Sequence, residues 1–232
     1  VVRDEVVEVA QADGVFRIST GEGGVFRAKK LILAHGVVDI LPEIEGAYEM
    51  WGKSLLQCPY CHGYEVKGQR FGVLYSGEAS LHQLKILPDW SDQLVLLMNG
   101  ERLNAEQEAV VKGLGVRVYS QKIAGFAHKN GMLGAVKFAD GETLERDAIF
   151  AINRHRLSAD FATDLGVELA DGPFGPMIKV DNLQQSSVPG VFAAGDCARA
   201  MHNSAWAISE GATAGIFAHQ SLVVERNPYQ QG

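Results

Sequence analysis

The sequence predicts an α/β protein built on doubly wound parallel sheet. Three observations carry this. From residue 70 to 119, strand-like and helix-like segments alternate as strand–helix–strand–helix–strand, the pattern of parallel strands joined by crossover helices. "KKLILA" (29–34) and "LVLLM" (94–98) are short, nearly continuous apolar runs, as strands covered on both faces are. Close to the end, "GVFAAGD" (190–196) reads as one more strand, and it runs on to a long helix rich in small residues, "SAWAISEGATAGIFAHQSLV" (204–223).

Taken in order, "DEVVEV" (4–9) and "VFRI" (15–18) read as strands around the turn "ADG". "KKLILA" is the next strand, and "HGVVDILPEIEG" reads as a loop or crossover with Pro42 and Gly46 as breakers. "RFGVLYSG" (70–77) is a strand running into Ser-Gly. "EASLHQLKIL" (78–87) carries a helical apolar stripe and is stopped by Pro88. "LVLLM" is followed by the helix "AEQEAVVKGLG" (105–115), closed by glycine, and by the strand "VRVY". Residues 121–150 alternate around "KNG" and "ADG" and read as a small antiparallel insert.

The 232 residues suffice for one large domain or two small ones with a buried core. A net charge of −7 without a basic stripe argues against nucleic acid or an anionic membrane as partner. No apolar run approaches the ~18 residues of a membrane span, and no signal-peptide pattern opens the chain, which starts without Met. Of three cysteines, Cys58 and Cys61 stand too close to staple a fold and Cys197 is alone. This favours a reducing, cytoplasmic setting and a working dithiol.

The string "CPYCH" (58–62) admits three chemistries. C-x-x-C-H is the c-type haem attachment string, but that class is exported and needs a second axial ligand. A zinc site wants four donors, and no second C-x-x-C exists; no metal is expected. The redox reading fits best. Pro59 suits the first position of a helical turn, with Cys58 as its N-cap. That placement favours a thiolate, and His62 is positioned to move the proton that thiol–disulfide exchange requires.

With these residues in view, the sequence resembles the thioredoxin reductase-like flavoproteins. Four segments carry the likeness in the family's order: "KKLILAHG" (29–36), "CPYCHGYE" (58–65), "FGVLYSGEASLHQ" (71–83) and "VPGVFAAGDCARAMHNSAWAISEGATAG" (188–215). The resemblance implies two Rossmann-like domains, with a nicotinamide-nucleotide domain (45–155, carrying the C-x-x-C) inserted into an FAD domain (1–44 and 156–232). It places Ala34, His35 and Gly36 beside FAD, Gly195 and Asp196 on its ribityl chain, and His202, Asn203 and Ser204 along the flavin ring. It makes Cys61 the sulfur facing the flavin and Cys58 the one exchanging with substrate, with His62 where Asp is usual. The implied substrate is a thioredoxin-like protein or a small dithiol or disulfide. A homodimer follows by family analogy.

Two departures stand out. The family's opening strand and G-x-G-x-x-G turn, which cradle the FAD pyrophosphate, have no match here. The FAD domain is therefore expected to be incomplete at its N-terminus, without the main grip on the ADP end. In the insert, G-x-G-x-x-A becomes Tyr75-Ser76-Gly77-Glu78-Ala79-Ser80. Ser76 and Gly77 remain as candidate phosphate contacts, and Arg102 is the one base offered to a 2′-phosphate in "MNGERLN" (98–104). NADPH or NADH stays possible, and three activities stay open. The first is a disulfide oxidoreductase passing electrons between nicotinamide nucleotide, flavin and dithiol. The second is a flavin-dependent dithiol oxidase using O₂. The third is a non-catalytic nucleotide-binding or interaction protein with a relic dithiol. Cys197 reads as a packed thiol, and Trp51 and Tyr60 as a substrate wall or core.

Overall fold

The computed structural model describes residues 1–226. The chain forms two compact units: Val1–Ile40 with the chain from Arg154 onward, and Leu41–Asn153. The first unit opens with β1 (Val6–Ala12), β2 (Val15–Thr20) and β3 (Val25–Ala28), an antiparallel sheet in that order. Asp13 and Gly14 both take positive φ (51° and 72°) at the β1–β2 hairpin, the conformation that an Asp-Gly turn supplies. β4 (Leu31–Leu33) and β5 (Val37–Ile40) follow. β5 corrects the expected loop at 35–46: Val37 and Val38 are β-branched, and the strand is held by a distant partner that local sequence does not reveal.

The second unit contains α1 (Ala47–Met50), β6 (Leu55–Leu56), α2 (Pro59–His62), β7 (Phe71–Leu74), α3 (Glu78–Ile86), β8 (Leu94–Leu97), α4 (Ala105–Gly113), β9 (Arg117–Tyr119), β10 (Ile123–Lys129), β11 (Met132–Phe138), β12 (Thr143–Glu145) and β13 (Ala148–Ala151). Its parallel sheet runs β6-β13-β7-β8-β9, and β10-β11-β12 form a separate antiparallel sheet. Side chains alternate across the parallel sheet. Phe71, Val73, Leu96 and Phe150 pack with Leu81, Leu84 and Val111 of the helices. Leu74, Val95, Leu97 and Ile149 pack with Phe126, Val136 and Phe138 of the antiparallel sheet. Burial on both faces is why β7 and β13 are apolar throughout. The insert expected over 121–150 is thus only partly antiparallel: "AIFA" joins the parallel sheet between β6 and β7.

The chain then returns to the first unit with β14 (Arg154–Leu157), α5 (Phe161–Asp164), β15 (Leu169–Asp171), β16 (Pro176–Ile178), β17 (Val191–Ala193) and α6 (Ser204–Arg226). β17 pairs parallel with β4, and β14 antiparallel with β5. Phe16, Leu33, Val191, Ala193 and the buried Cys197 share one core. Among the described residues, no helix is long and apolar enough to cross a membrane.

Candidate active site

The dithiol lies on α2. Cys58 and Cys61 form a disulfide, with Cα atoms 5.3 Å apart. Pro59 occupies the first helical position and Cys58, in extended backbone, is the N-cap, as proline's fixed φ and missing N–H favour. The backbone N–H groups of Cys61 and His62 both donate to the Cys58 carbonyl at 3.2 Å, which winds the turn tightly enough to bring the sulfurs together. Cys61 and His62 are exposed and Cys58 is half-buried. Tyr60 is 77% exposed, its ring edge-on to Trp90 at 5.5 Å, whereas Trp51 packs against the core. The buried Gln83 of α3 donates from Nε2 to the Gln57 carbonyl at 2.6 Å and ties the start of the turn to the helix. Among the described residues, no three or more His, Cys, Asp or Glu side chains gather as metal ligands.

Gly63 closes the turn against Trp90: a Cβ there would lie 2.6 Å from Trp90 Nε1. Gly63→Ala is therefore expected to cost about 1–3 kcal/mol of stability through overpacking and to slow dithiol reaction. A denaturant melt and a thiol-titration rate on the same protein check this.

In the first unit, the ends of β4 and β17 open onto a cavity of about 350 Å³ whose lining includes Ala34, Gly36, Gly195, Asp196, Ser204 and Gly211. Strand ends of a parallel pair are where open α/β sheets receive ligands. Gly195 has φ 78° and ψ −156°, a conformation essentially confined to glycine. Its N–H donates to Glu210 Oε2 at 3.1 Å. Glu210, buried on α6, pairs through its other oxygen with Arg199, and Arg199 stacks 4.7 Å from the Trp206 ring centroid. Glu210→Leu is expected to destabilise the unit by about 2 kcal/mol, less than breaking a fully buried pair costs because Arg199 is partly solvated; a thermal melt reads it.

Other expected site residues take distinct roles. Asn203 Oδ1 accepts the Ala205 N–H at 2.8 Å and caps α6. His35 Nδ1 lies 3.2 Å from the Gly36 carbonyl and 3.1 Å from Ser158 Oγ, leaving its buried Nε2 without a protein partner. Burial holds the His35 pKa below the ordinary 6.5, partly offset by the Gly36 carbonyl. The His202 ring sits 4.9 Å from that of His155, and its buried Nε2 is likewise unpartnered. His155, 4% exposed, is pushed below 6.5 by burial first and by His202 second. It lies opposite Asp39 across the β5–β14 pair. Burial raises the Asp39 pKa, which His202 and His155 counteract. Cys197 is fully buried in the first unit's core, and burial pushes its thiol up.

Lowered histidine pKa values fix a pH dependence. Below pH 6.5 the unfolded chain binds protons that buried His35 and His155 refuse, so this stabilisation is present above 6.5 and lost as pH falls towards the folded values. Asp39, with its raised pKa, has the opposite slope: its contribution is present below its ordinary 3.8 and is lost as pH rises from there through the folded value. Melting temperature is expected to fall as pH drops below 6.5, and His35→Asn is expected to flatten that fall.

Small residues, one carboxylate, one hydroxyl and two unpartnered ring nitrogens in the first unit suit a group that combines a polyol chain with a polar aromatic ring, as FAD does. The second unit's nucleotide turn differs. The Ser76 N–H already donates to Ser80 Oγ at 3.0 Å, and Gly77 takes φ 96°. Arg102 does not join them; it lines a separate cavity of about 700 Å³ with Met98, Glu101, Lys112 and Val118. Glu210 and Arg199 lie inside the quoted 188–215 segment without being singled out, and His155, Asp39 and Gln107 fall outside the four quoted segments. The available signals were Glu210, an acid in the small-residue first half of α6, and the Asn104-x-x-Gln107 spacing of a capping box.

The family model described as pyridine nucleotide-disulphide oxidoreductase matches residues 1–211. The thioredoxin reductase tcpT of Claviceps purpurea is 34% identical over 220 residues, covering 91% of this chain and 68% of that protein. The thioredoxin reductase sirT of Leptosphaeria maculans is 29% identical over 223 residues, covering 89% and 67%. Among solved structures, an oxidoreductase from Agrobacterium tumefaciens superposes with a TM-score of 0.87 at 35% identity, over 96% of this chain and 74% of that one. The exposed Cys58–Cys61 disulfide and the two α/β units agree with these likenesses: the chain is an oxidoreductase of the pyridine nucleotide-disulphide oxidoreductase family, thioredoxin reductase-like, a group whose members use FAD and NAD(P)H.

Proposed function

We propose that Cys58 and Cys61 are the reacting pair of an FAD-dependent thiol–disulfide oxidoreductase. The observation that carries this reading is the disulfide on an exposed single turn, with Cys61 and His62 open to solvent. Residues 1–44 and 156–232 serve as the FAD-binding halves and 45–155 as the nucleotide-domain-like insert. Ala34, Gly36, Gly195, Asp196 and Ser204 line the flavin's place, supported by the shared cavity, and His35, His202 and Asn203 complete its surroundings. FAD, when bound, supplies the two-electron store.

The protein's own steps are those of thiol–disulfide exchange. Cys58 meets the substrate sulfur and Cys61 serves the flavin side, roles that rest on the family likeness. In the oxidising direction, a substrate thiolate attacks Cys58 Sγ and the Cys58–Cys61 bond breaks. A mixed disulfide forms and Cys61 leaves as thiolate. The second substrate thiolate then attacks its own mixed-disulfide sulfur, releasing substrate disulfide and the Cys58 thiolate. His62 takes up one of the two protons that the substrate thiols shed, and the other goes to solvent at this exposed turn. The exposed Tyr60 beside this turn suits a substrate with an apolar body: a thioredoxin-like protein surface or a small dithiol. A cytoplasmic homodimer completes the proposal.

A second reading, a dithiol oxidase handing electrons through FAD to O₂, is favoured by one observation: Tyr75 stands where a nucleotide turn requires glycine. Oxygen consumption with a small dithiol, compared with NADPH oxidation in the presence of a small disulfide, separates the two. Dithiol-dependent oxygen uptake without nucleotide supports the oxidase. Nucleotide-dependent disulfide reduction supports the reductase.

A further inference from the structure

The turn after β7 is closed from within by hydrogen bonds centred on Gln107, a residue of α4. Tyr75 OH donates to Gln107 Oε1 at 3.1 Å. The same oxygen accepts the Asn104 N–H at 3.1 Å, while the Gln107 N–H donates to Asn104 Oδ1 at 2.9 Å, a reciprocal capping box at the start of α4. Gln107 Nε2 then donates to Glu78 Oε1 at 2.6 Å, reaching across to the first turn of α3.

Each contact uses a feature that a dinucleotide would need. A working turn has glycine at its first position so that the chain folds tightly, and bare backbone at the second so that pyrophosphate approaches the helix N-terminus. Here the first position carries a half-buried tyrosine anchored to α4. The Ser76 N–H is spent on Ser80 Oγ, which donates in turn to the Gly77 carbonyl at 2.6 Å. The start of α3 already holds an anion, the Glu78 carboxylate, fixed there by Gln107. A second negative group meets repulsion at that point. The 2′-phosphate end fares no better. Asn99 is turned inward to accept the Ile123 N–H at 2.9 Å, Asn104 is the α4 cap, and Arg102 lies in the separate groove.

We propose that Gln107 locks this turn, that Tyr75 and Glu78 occupy the place of the dinucleotide pyrophosphate, and that the second unit is a scaffold that excludes NADPH and NADH. This deepens the second reading above by naming the residues that shut the nucleotide out. Its test does not depend on electron transfer, so either idea can fail alone.

The test is calorimetric titration of the FAD-loaded full-length protein with NADPH and, separately, NADH, for the native sequence and for Tyr75→Gly/Glu78→Gln/Gln107→Ala. The native protein is expected to show no saturable binding below about 1 mM. The triple variant is expected to bind at least one nucleotide at least about tenfold more tightly. Saturable micromolar binding by the native protein overturns the proposal. So does a folded triple variant, judged by circular dichroism, that binds no better than the native. If the triple variant fails to fold, Glu78→Gln/Gln107→Ala, which keeps the tyrosine packing, must still gain affinity; no gain there also overturns it.

Discussion

Replacing Cys61 by Ser in the FAD-loaded protein is expected to bring dithiol or disulfide turnover down by roughly 10³-fold or more, to background, while flavin content stays unchanged. A hydroxyl of similar size occupies the exposed turn but neither forms a disulfide with Cys58 nor accepts an electron pair. Cys58→Ser is expected to do the same, and the double variant no worse than either single one, because the two sulfurs act as one unit. The separation of flavin content from turnover is the informative part. The dithiol sits in the second unit, and the cavity with Gly195 and Asp196 in the first. Loss of both readouts together would instead indicate damage to folding.

Gly195→Val is expected to have the converse signature: flavin is lost while the dithiol stays titratable. The φ of 78° and ψ of −156° place any side chain in a region that costs about 1–3 kcal/mol. Even a Cβ there meets the Ala207 Cβ at 3.4 Å, and the branched chain of valine would reach further towards α6. Relief by backbone movement would release the N–H from Glu210 and shift Asp196, the next residue. A flavin-to-protein absorbance ratio after gel filtration is expected to fall at least tenfold, roughly the effect of 1.4 kcal/mol on binding. By contrast, Gly113→Ala lies in open space near the end of α4 without positive φ. It is expected to leave flavin binding alone and to stabilise the protein by about 0.5–1 kcal/mol.

Much of the fold was legible because local chemistry and tertiary structure agree in these segments. The Asp13-Gly14 hairpin, the α3 and α4 helices and the buried runs of β7 and β8 follow from turn residues, periodicity and continuous apolar character. Where pairing is long-range, sequence reading failed. β5 depends on β14, over a hundred residues away, and β13 looks like the last strand of a meander until its place between β6 and β7 is seen. The candidate site divides in the same way. The dithiol turn was legible because Pro59 dictates its own position. Gly36, Gly195 and Asp196 were picked out by family likeness, whereas the lining Gly211 was not, and their grouping is a property of two distant strand ends. Gln107, Glu210 and His155 were missed because each acts through a partner on another element.

The most direct measurement is anaerobic mixing of the FAD-loaded protein with a small dithiol, following flavin absorbance in the native protein and in Cys61→Ser. Bleaching of the flavin in the native protein, and none in the variant on the same timescale, is the outcome expected if electrons pass through the Cys58–Cys61 pair. Equal bleaching in both would mean that the flavin takes electrons by a route that bypasses these sulfurs, and would contradict the account.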